Sequence, residues 1–402
     1  MKKILKSSKT NILLRTTMNR IMKKLLLITG LISQTFLFGH APAPEKPCQI
    51  TPPYNPLSSK IDFTVDVEFL YWYANITDLD YAIKREYITV SDPVIPNTTI
   101  VAAIKKERFD NEWGPGVRVG LGVIGAEDGW SLYAHGLYFD ESTSESHNLS
   151  PITSFSNASD PGVQFYTSPW FFLAPNSGSF NNPFDQVQYT HISANWHIEY
   201  YQVDLELGRK FWISQKLILL PFIGLRGFHS DSDFKLHGSR ELGEFLPEQS
   251  ERLKAQQKNW GVGLLSGINT NWSITRQWSI YGNAGVALTY GRLEIIEKEH
   301  IFRQEVFPPN PPVITQDTEV KLQDSYYKLI PFIDLGAGLC FADTFSHDRY
   351  RLSLSAGWET HFLIDYNEFL RGTNPSASVT DLPSANGNLT LAGFTLRGRL
   401  DF

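Results

Sequence analysis

From Ile61 the chain alternates strictly. Ile61, Phe63, Val65, Val67, Phe69, Tyr71 and Tyr73 fall on one face, and Asp62, Thr64, Asp66, Glu68 and Trp72 fall on the other. A period of two is that of a strand, because successive side chains point to opposite sides. A run of this length that ends in Tyr-Trp-Tyr is what a tilted membrane-crossing strand with an interfacial aromatic belt requires. The alternation then recurs in pairs of runs joined by short turns. Trp113–Val123 is joined to Trp130–Phe139 across Gly125–Gly129, and Tyr201–Phe211 to Leu217–Arg226 across Ser214–Lys216. Trp260–Trp272 is joined to Trp278–Tyr290 across 273–277, and Tyr327–Phe341 to Tyr350–Phe362 across 342–349. Pro221 cannot donate to a ladder, so its run is expected to carry a bulge there. The chain closes on a last run in which Ala392, Phe394, Leu396, Gly398, Leu400 and Phe402 oppose Gly393, Thr395, Arg397, Arg399 and Asp401.

The pattern predicts about ten strands, rising towards fourteen if short runs such as 80–83 and 99–104 pair within the long connections. Four connections are short and five are long and polar. That asymmetry is the signature of an all-β, antiparallel transmembrane β-barrel with short periplasmic turns and long extracellular loops, both termini being periplasmic. A β-sandwich would show turn signals every 8–12 residues and no such rhythm.

Composition narrows the picture. After the N-terminus no apolar run approaches the roughly 20 residues a helical span needs, while 13% aromatic residues and 29 glycines suit interfacial girdles and closely approaching strands. A net charge of −6 offers no basic footprint for nucleic acid. Met22-Lys-Lys followed by the apolar Leu25–Phe38 stretch reads as an export signal over 1–39, with translation from Met18 or Met22 as an alternative start. Residues 40–60 form a proline-rich periplasmic tether ahead of a barrel over 61–402. The two cysteines, Cys48 in the tether and Cys340 near the periplasmic end of a strand, leave both a disulfide and two independent thiols open.

Several segments together resemble the major outer membrane protein family of chlamydia-related bacteria and Legionella. They are Glu68-Phe-Leu-Tyr-Trp72, Leu79-Asp-Tyr-Ala82, Gly116-Val-Arg-Val-Gly-Leu-Gly122, Asp204-Leu-Glu-Leu-Gly-Arg209 and Pro221-Phe-Ile-Gly-Leu-Arg226. Ala356-Gly-Trp-Glu359 with Asn367, and the terminal Phe394-Thr-Leu-Arg-Gly-Arg-Leu-Asp-Phe402, complete the set. The resemblance covers most strands and little of the loops. It implies an abundant surface protein with porin activity, often oligomeric. Two cysteines are few for that family, which weighs against disulfide-linked envelope networks.

By parity, the lumen is lined by Asp66, Glu68, Arg118, Asp204, Glu206, Lys210, Arg226, Asp334, Arg351, Glu359, Arg397 and Arg399. These charges either tune the passage of ions and small hydrophilic solutes or pair with one another and fill a narrow barrel. The first reading is a passive porin; the alternative is a surface-exposed adhesin or structural barrel with little conductance. Gly120, Gly122, Gly261, Gly263 and Gly336 are expected to leave space in the lumen. Trp170-Phe-Phe172 is a candidate constriction or a cluster steadying a long loop. Asp110, Glu112, His191 and Asp185 make no recognisable acid–base arrangement, and no nucleotide-binding, nucleophile or metal-ligand motif occurs, so neither an enzyme nor a cofactor or metal is expected. Expected partners are outer-membrane lipid, the barrel assembly machinery through Phe402, further copies of the chain, and host surfaces through the loops.

Overall fold

A computed structural model describes residues 61–90, 98–125, 129–150, 161–171, 189–240, 249–305, 313–347, 349–371 and 385–402. The expected export signal, the tether and Cys48 lie outside these residues. Ten strands form the wall: β1 (Ile61–Ile76), β4 (Trp113–Gly125), β5 (Trp130–Asn148), β7 (His191–Arg209), β9 (Leu217–Arg240), β10 (Gln249–Ser273), β11 (Trp278–Glu305), β12 (Val313–Phe345), β13 (Tyr350–Asn367) and β14 (Gly387–Asp401). Each pairs antiparallel with its neighbours in the sequence, and β14 pairs with β1 to close the barrel. Four short turns lie at one end, where β1 begins and Phe402 ends; of the five connections at the other end three are long, while those after β9 and β11 shrink to eight and seven residues because the strands extend into the expected loops.

The registers give the barrel its dimensions. A walk perpendicular to the strands leaves β1 at Thr64 and passes Gly122, Tyr133, Glu206, Gly224, Leu265, Ala287, Phe332, Leu363 and Leu389. It returns to β1 at Ile76, a stagger of twelve residues. With strands ~4.8 Å apart and a rise of ~3.3 Å per residue, ten strands so staggered tilt by about 40° and enclose a backbone radius of roughly 10 Å.

Burial is inverted relative to a water-soluble sheet. On β1 the apolar Phe63, Val67 and Phe69 are more than half exposed, while Asp62, Thr64, Asp66 and Glu68 are buried. The same holds around the wall, with Val203 63% and Leu264 73% exposed. Leaving such side chains in water forfeits roughly 1.5–3 kcal/mol each, so a continuous band of them belongs against acyl chains. Aromatic residues rim this band. Phe63 stacks on Phe402 at the short-turn end, and Tyr71, Trp113, Trp358 and Phe394 cluster at the other.

Two features differ from the sequence pattern. β9 runs through Pro221 in unbroken register with β10, so there is no bulge. Pro221 falls in the gap between the β7 pairing, which ends at Phe222, and that of the short β8 (Phe211–Trp212), which ends at Leu219, so on that side the ring displaces no ladder bond. Several strands also run well past the aromatic rim, β12 being 33 residues long in all. Beyond the rim, β5, β7, β9, β10, β11 and β12 continue as a tall extracellular sheet. Beside it, β2 (Ala82–Val90), β3 (Thr98–Glu107) and β6 (Gln164–Thr167) form a separate three-stranded sheet, built from the hairpin expected in the first long connection.

Candidate functional site: a divided lumen

The inward flank changes character part-way along the barrel. On β1 it runs Asp62, Thr64, Asp66, Glu68 and then Leu70, Trp72, Ala74, Ile76, all buried. At the same level β7 passes from Gln202 to Tyr200, β9 from Arg226 to Phe228, β12 from Asp334 to Phe332, and β13 from His361 to Leu363. The periplasmic half of the lumen is therefore polar and is capped by an apolar layer, beyond which the inward flank is mixed, with buried Ser230, Gln257, Asn259 and Glu297 among apolar side chains. Alternation alone had placed water along the whole inner flank.

The polar half is a cup of about 850 Å³. Of the residues assigned to the lumen by parity, Glu68, Arg118, Asp204, Glu206, Lys210, Arg226, Asp334, Arg351, Glu359, Arg397 and Arg399 line it. Asp66 is buried in its wall, bonded to Arg397 Nε at 3.0 Å. Lys210, Arg351 and Arg399 ring the lower part with Asp62 and Asp401, and Arg399 Nε donates to Asp401 at 2.7 Å. Cys340 also lines the cup with a free thiol; its proposed partner lies outside the described residues.

A chain of ion pairs roofs the cup. Arg118 donates to Glu68 at 2.6 Å and to Glu359 at 2.8 Å. His361 bridges Glu359 and Asp334 at 3.4 and 2.7 Å. Arg226 joins Asp334 at 2.7 Å to Asp204, which accepts two of its hydrogen bonds at 2.9 and 2.6 Å. Seven charged side chains from β1, β4, β13, β12, β9 and β7 thus form one crossing network. Its two arginines also abut the apolar layer, Arg118 over the Trp72 ring at 5.6 Å and Arg226 over Phe332 at 5.3 Å.

The glycines do not leave free space. A Cβ on Gly120 would meet Tyr133 Oη at 1.9 Å, and on Gly122 would meet the same ring at 2.8 Å. The missing side chains let Tyr133 lie flat against β4, where its hydroxyl accepts from Arg397 at 2.8 Å. Gly261 and Gly336 are filled in the same way by Phe228 and Glu359.

His135, Asp204 and Glu206 bring ligand-type atoms within 4.8 Å of one another. The donor set does not suit a metal. One Asp204 oxygen accepts from Arg226 Nε, and the other from Arg226 Nη2 and from Gln202 at 2.7 Å, with His135 Nε2 at 3.2 Å. A cation there would have to displace an arginine.

Above the roof the lumen is filled. Leu70, Trp72, Phe139, Tyr200, Phe228, Phe332 and Leu363 form a buried layer, with Phe228 and Phe332 rings 5.1 Å apart and Trp72 and Phe139 rings 5.9 Å apart. Two loop segments cover it. Trp170 is fully buried, donating to Asp80 O at 2.7 Å and lying edge-on to Phe234 at 5.4 Å. Phe171 is buried beside Tyr189, while Phe172 lies outside the described residues. The second segment, Tyr366–Arg371, follows β13 and passes inside β12 to reach β11 and β10. Gln257 donates to Tyr366 O and accepts from Glu368 N, and Glu297 accepts from Leu370 N at 2.7 Å. Burial pushes the Glu297 carboxyl up to about 8, with the Glu299 charge adding to the rise and the Leu370 amide opposing it. Burial likewise raises Glu251, together with a hydrogen bond to Glu299. These groups stand on the extracellular extension, beyond the aromatic rim. The sequence pattern missed Tyr366, Phe369, Gln257 and Glu297; inward parity beyond each membrane run was the only available signal.

Of the described residues weighed for catalysis, His191 and Asp110 bond to other partners. His191 Nδ1 bonds Asn148, Asp110 offers its backbone oxygen to Thr143, and Asp185 lies outside the described residues.

A closed ten-stranded antiparallel barrel with a lipid-facing apolar band and a charged lumen defines the class: an outer-membrane β-barrel protein. Residues 55–402 match the family model described as Legionella pneumophila major outer membrane protein precursor, and the chain belongs to that family. Membership places it in the outer membrane. No curated protein matches the chain. Among solved structures it is similar to the outer membrane protease OmpT from Escherichia coli, at 8% identity and a TM-score of 0.33 over 85% of this chain and 96% of that one. It is also similar to a major outer membrane protein from Thermus thermophilus, at 8% and 0.26 over 86% and 100%. The toluene transporter TodX from Pseudomonas putida follows at 7% and 0.25 over 86% and 92%. Likeness at this level carries no argument about activity.

Proposed function

We propose that the protein is a surface-exposed structural barrel of the outer membrane, with little or no conductance in the state described. The apolar layer carries this reading. A hydrated ion or small sugar rising through the cup would first have to break the Arg118–Glu359–His361–Asp334–Arg226 roof and then shed its water among Trp72, Phe139, Phe228 and Phe332. Nothing in this arrangement calls for a chemical reaction, so the reading is non-enzymatic. The tall extracellular sheet and the loops it supports are then the working surface.

A passive pore is the second reading, favoured by the 850 Å³ cup and by a cover that consists in part of loop segments instead of wall. Planar-bilayer recording of the refolded full chain separates the two. A silent membrane, with the barrel shown folded by its heat-modifiable mobility, supports the closed reading; discrete ohmic steps overturn it.

A further inference from the structure

The outward face of the extracellular sheet carries a row of lysines that neither the closed lumen nor the fold itself uses. Lys235 on β9 is directly opposite Lys254 on β10, Lys254 is opposite Lys298 on β11, and Lys298 is opposite Lys321 on β12. All four point outward and are exposed. Like charges directly opposite one another weaken a sheet. Among the described residues none of the four makes an ion pair or a side-chain hydrogen bond, and the compensation shown is the weaker attraction between Lys235 and Asp233, two residues along β9. One row further out stand His237, Arg252, His300 and Glu319, of which His300 bonds Asp317. Between the lysines and the membrane lie Asp233, Gln256, Ile296 and Gln323, then Asp231, Lys258, Glu294 and Ser325, with Lys258 paired to Asp231 at 3.4 Å.

The height of the row identifies what it meets. Lys254 is six residues beyond Trp260, and Lys321 six beyond Tyr327, both residues of the outer aromatic rim, where the exposed Arg292 sits between them in register. Six residues span ~20 Å along a strand, or roughly 15 Å above the rim at a tilt of about 40°. That is the zone of glycolipid head groups and phosphorylated sugars in an outer leaflet, reached sideways from the lipid belt. Arg292 lies at its base and Lys254, Lys298 and Arg252 stand above it, with Lys258 between them and the acids Asp231, Asp233 and Glu294 in the two intervening rows.

We infer that this lysine row is a docking surface for the anionic, phosphorylated head group of an outer-leaflet glycolipid packed against β9–β12. Clustered lysines beside a membrane attract anionic lipids and lose that attraction as salt screens them. The inference rests on outer-membrane placement and is independent of whether the lumen conducts.

The test uses the full chain, refolded as wild type, as the quadruple variant Lys235→Gln/Lys254→Gln/Lys298→Gln/Lys321→Gln, and with the same four lysines changed to Arg. Folding is checked by heat-modifiable mobility. Each protein is titrated with lipopolysaccharide carrying a phosphorylated inner core, with the same lipid after dephosphorylation, and with heparin as a soluble polyanion. Wild type and the Arg variant should bind the phosphorylated lipid comparably. The Gln variant should bind it at least about tenfold more weakly, the smallest loss compatible with removing four cations from an anionic surface. Dephosphorylation should weaken wild-type binding to a similar degree. Equal binding by the Gln variant, or equal binding of the dephosphorylated lipid, overturns the proposal. Heparin bound tightly with no preference for the glycolipid also overturns it, by assigning the row to a polyanion from outside.

Discussion

Arg226 is the most informative single position in the lumen. Its side chain is 4% exposed and is shared between Asp204, by two hydrogen bonds, and Asp334, while its guanidinium lies over Phe332. Arg226→Met keeps the length and apolar stem but removes the charge. It leaves Asp204 with Gln202 and His135, and Asp334 with His361, as their remaining partners. Two carboxylates that shared one buried cation would then face each other across the lumen, and breaking such a pair costs about 3–5 kcal/mol. The triple variant Asp204→Asn/Arg226→Met/Asp334→Asn removes all the charges together. Because a buried ionic set is often replaceable by uncharged groups at little net loss, it should return to within about 1–2 kcal/mol of wild type. Urea titration of the protein in lipid vesicles, followed by tryptophan fluorescence, gives both numbers, and bilayer recording adds a third. If the single variant loses less than about 1 kcal/mol, or the triple loses as much as the single, the network is not the structural brace described here. A single variant of normal stability but altered conductance would instead make Arg226 part of a solute path.

Adjacent positions on β13 test the face assignment. Leu354 is 50% exposed towards lipid whereas Ser353 lines the cup, so Leu354→Arg should cost about 2–4 kcal/mol near the midplane and Ser353→Arg far less; similar costs in the same titration would refute the assignment. The docking of Tyr366–Arg371 should depend on pH through Glu297. Its folded pKa of about 8 lies above the ordinary value of 4.5, so the folded state holds the proton. The stabilisation is therefore complete below about pH 4.5, declines as pH rises towards about 8, and is then flat, a loss of at most a few kcal/mol. Glu251, raised by burial and by its hydrogen bond to Glu299, acts in the same direction on the same inner face. Hydrogen exchange at the Leu370 amide, corrected for its intrinsic base catalysis, should show protection falling from pH 5 to pH 8.5 in wild type and a flatter response in Glu297→Gln. Equal pH dependence in the two would exclude Glu297 as the source.

Much of this protein was decided by residue alternation alone. The ten spans, the short-turn end, the outward apolar face and the inward position of Asp66, Glu68, Arg118, Asp204, Arg226, Glu359 and Arg397 all follow from a period of two. That property is local: a strand's two faces are set by neighbouring residues, and lipid on one side forces the apolar set outward. Pairing across the barrel is not local. Whether Arg226 meets Asp334 three strands away, or Tyr133 lies in the hollow over Gly120 and Gly122, depends on a stagger of twelve that only the closed sheet possesses. The same holds for Tyr366 and Phe369, which reach the lumen because a loop turns inward, and for the four lysines, which are 19, 44 and 23 positions apart along the chain yet form one row. Register, set by closure of the barrel, determines which distant side chains become neighbours, and so decides that the outer half of the lumen is packed shut.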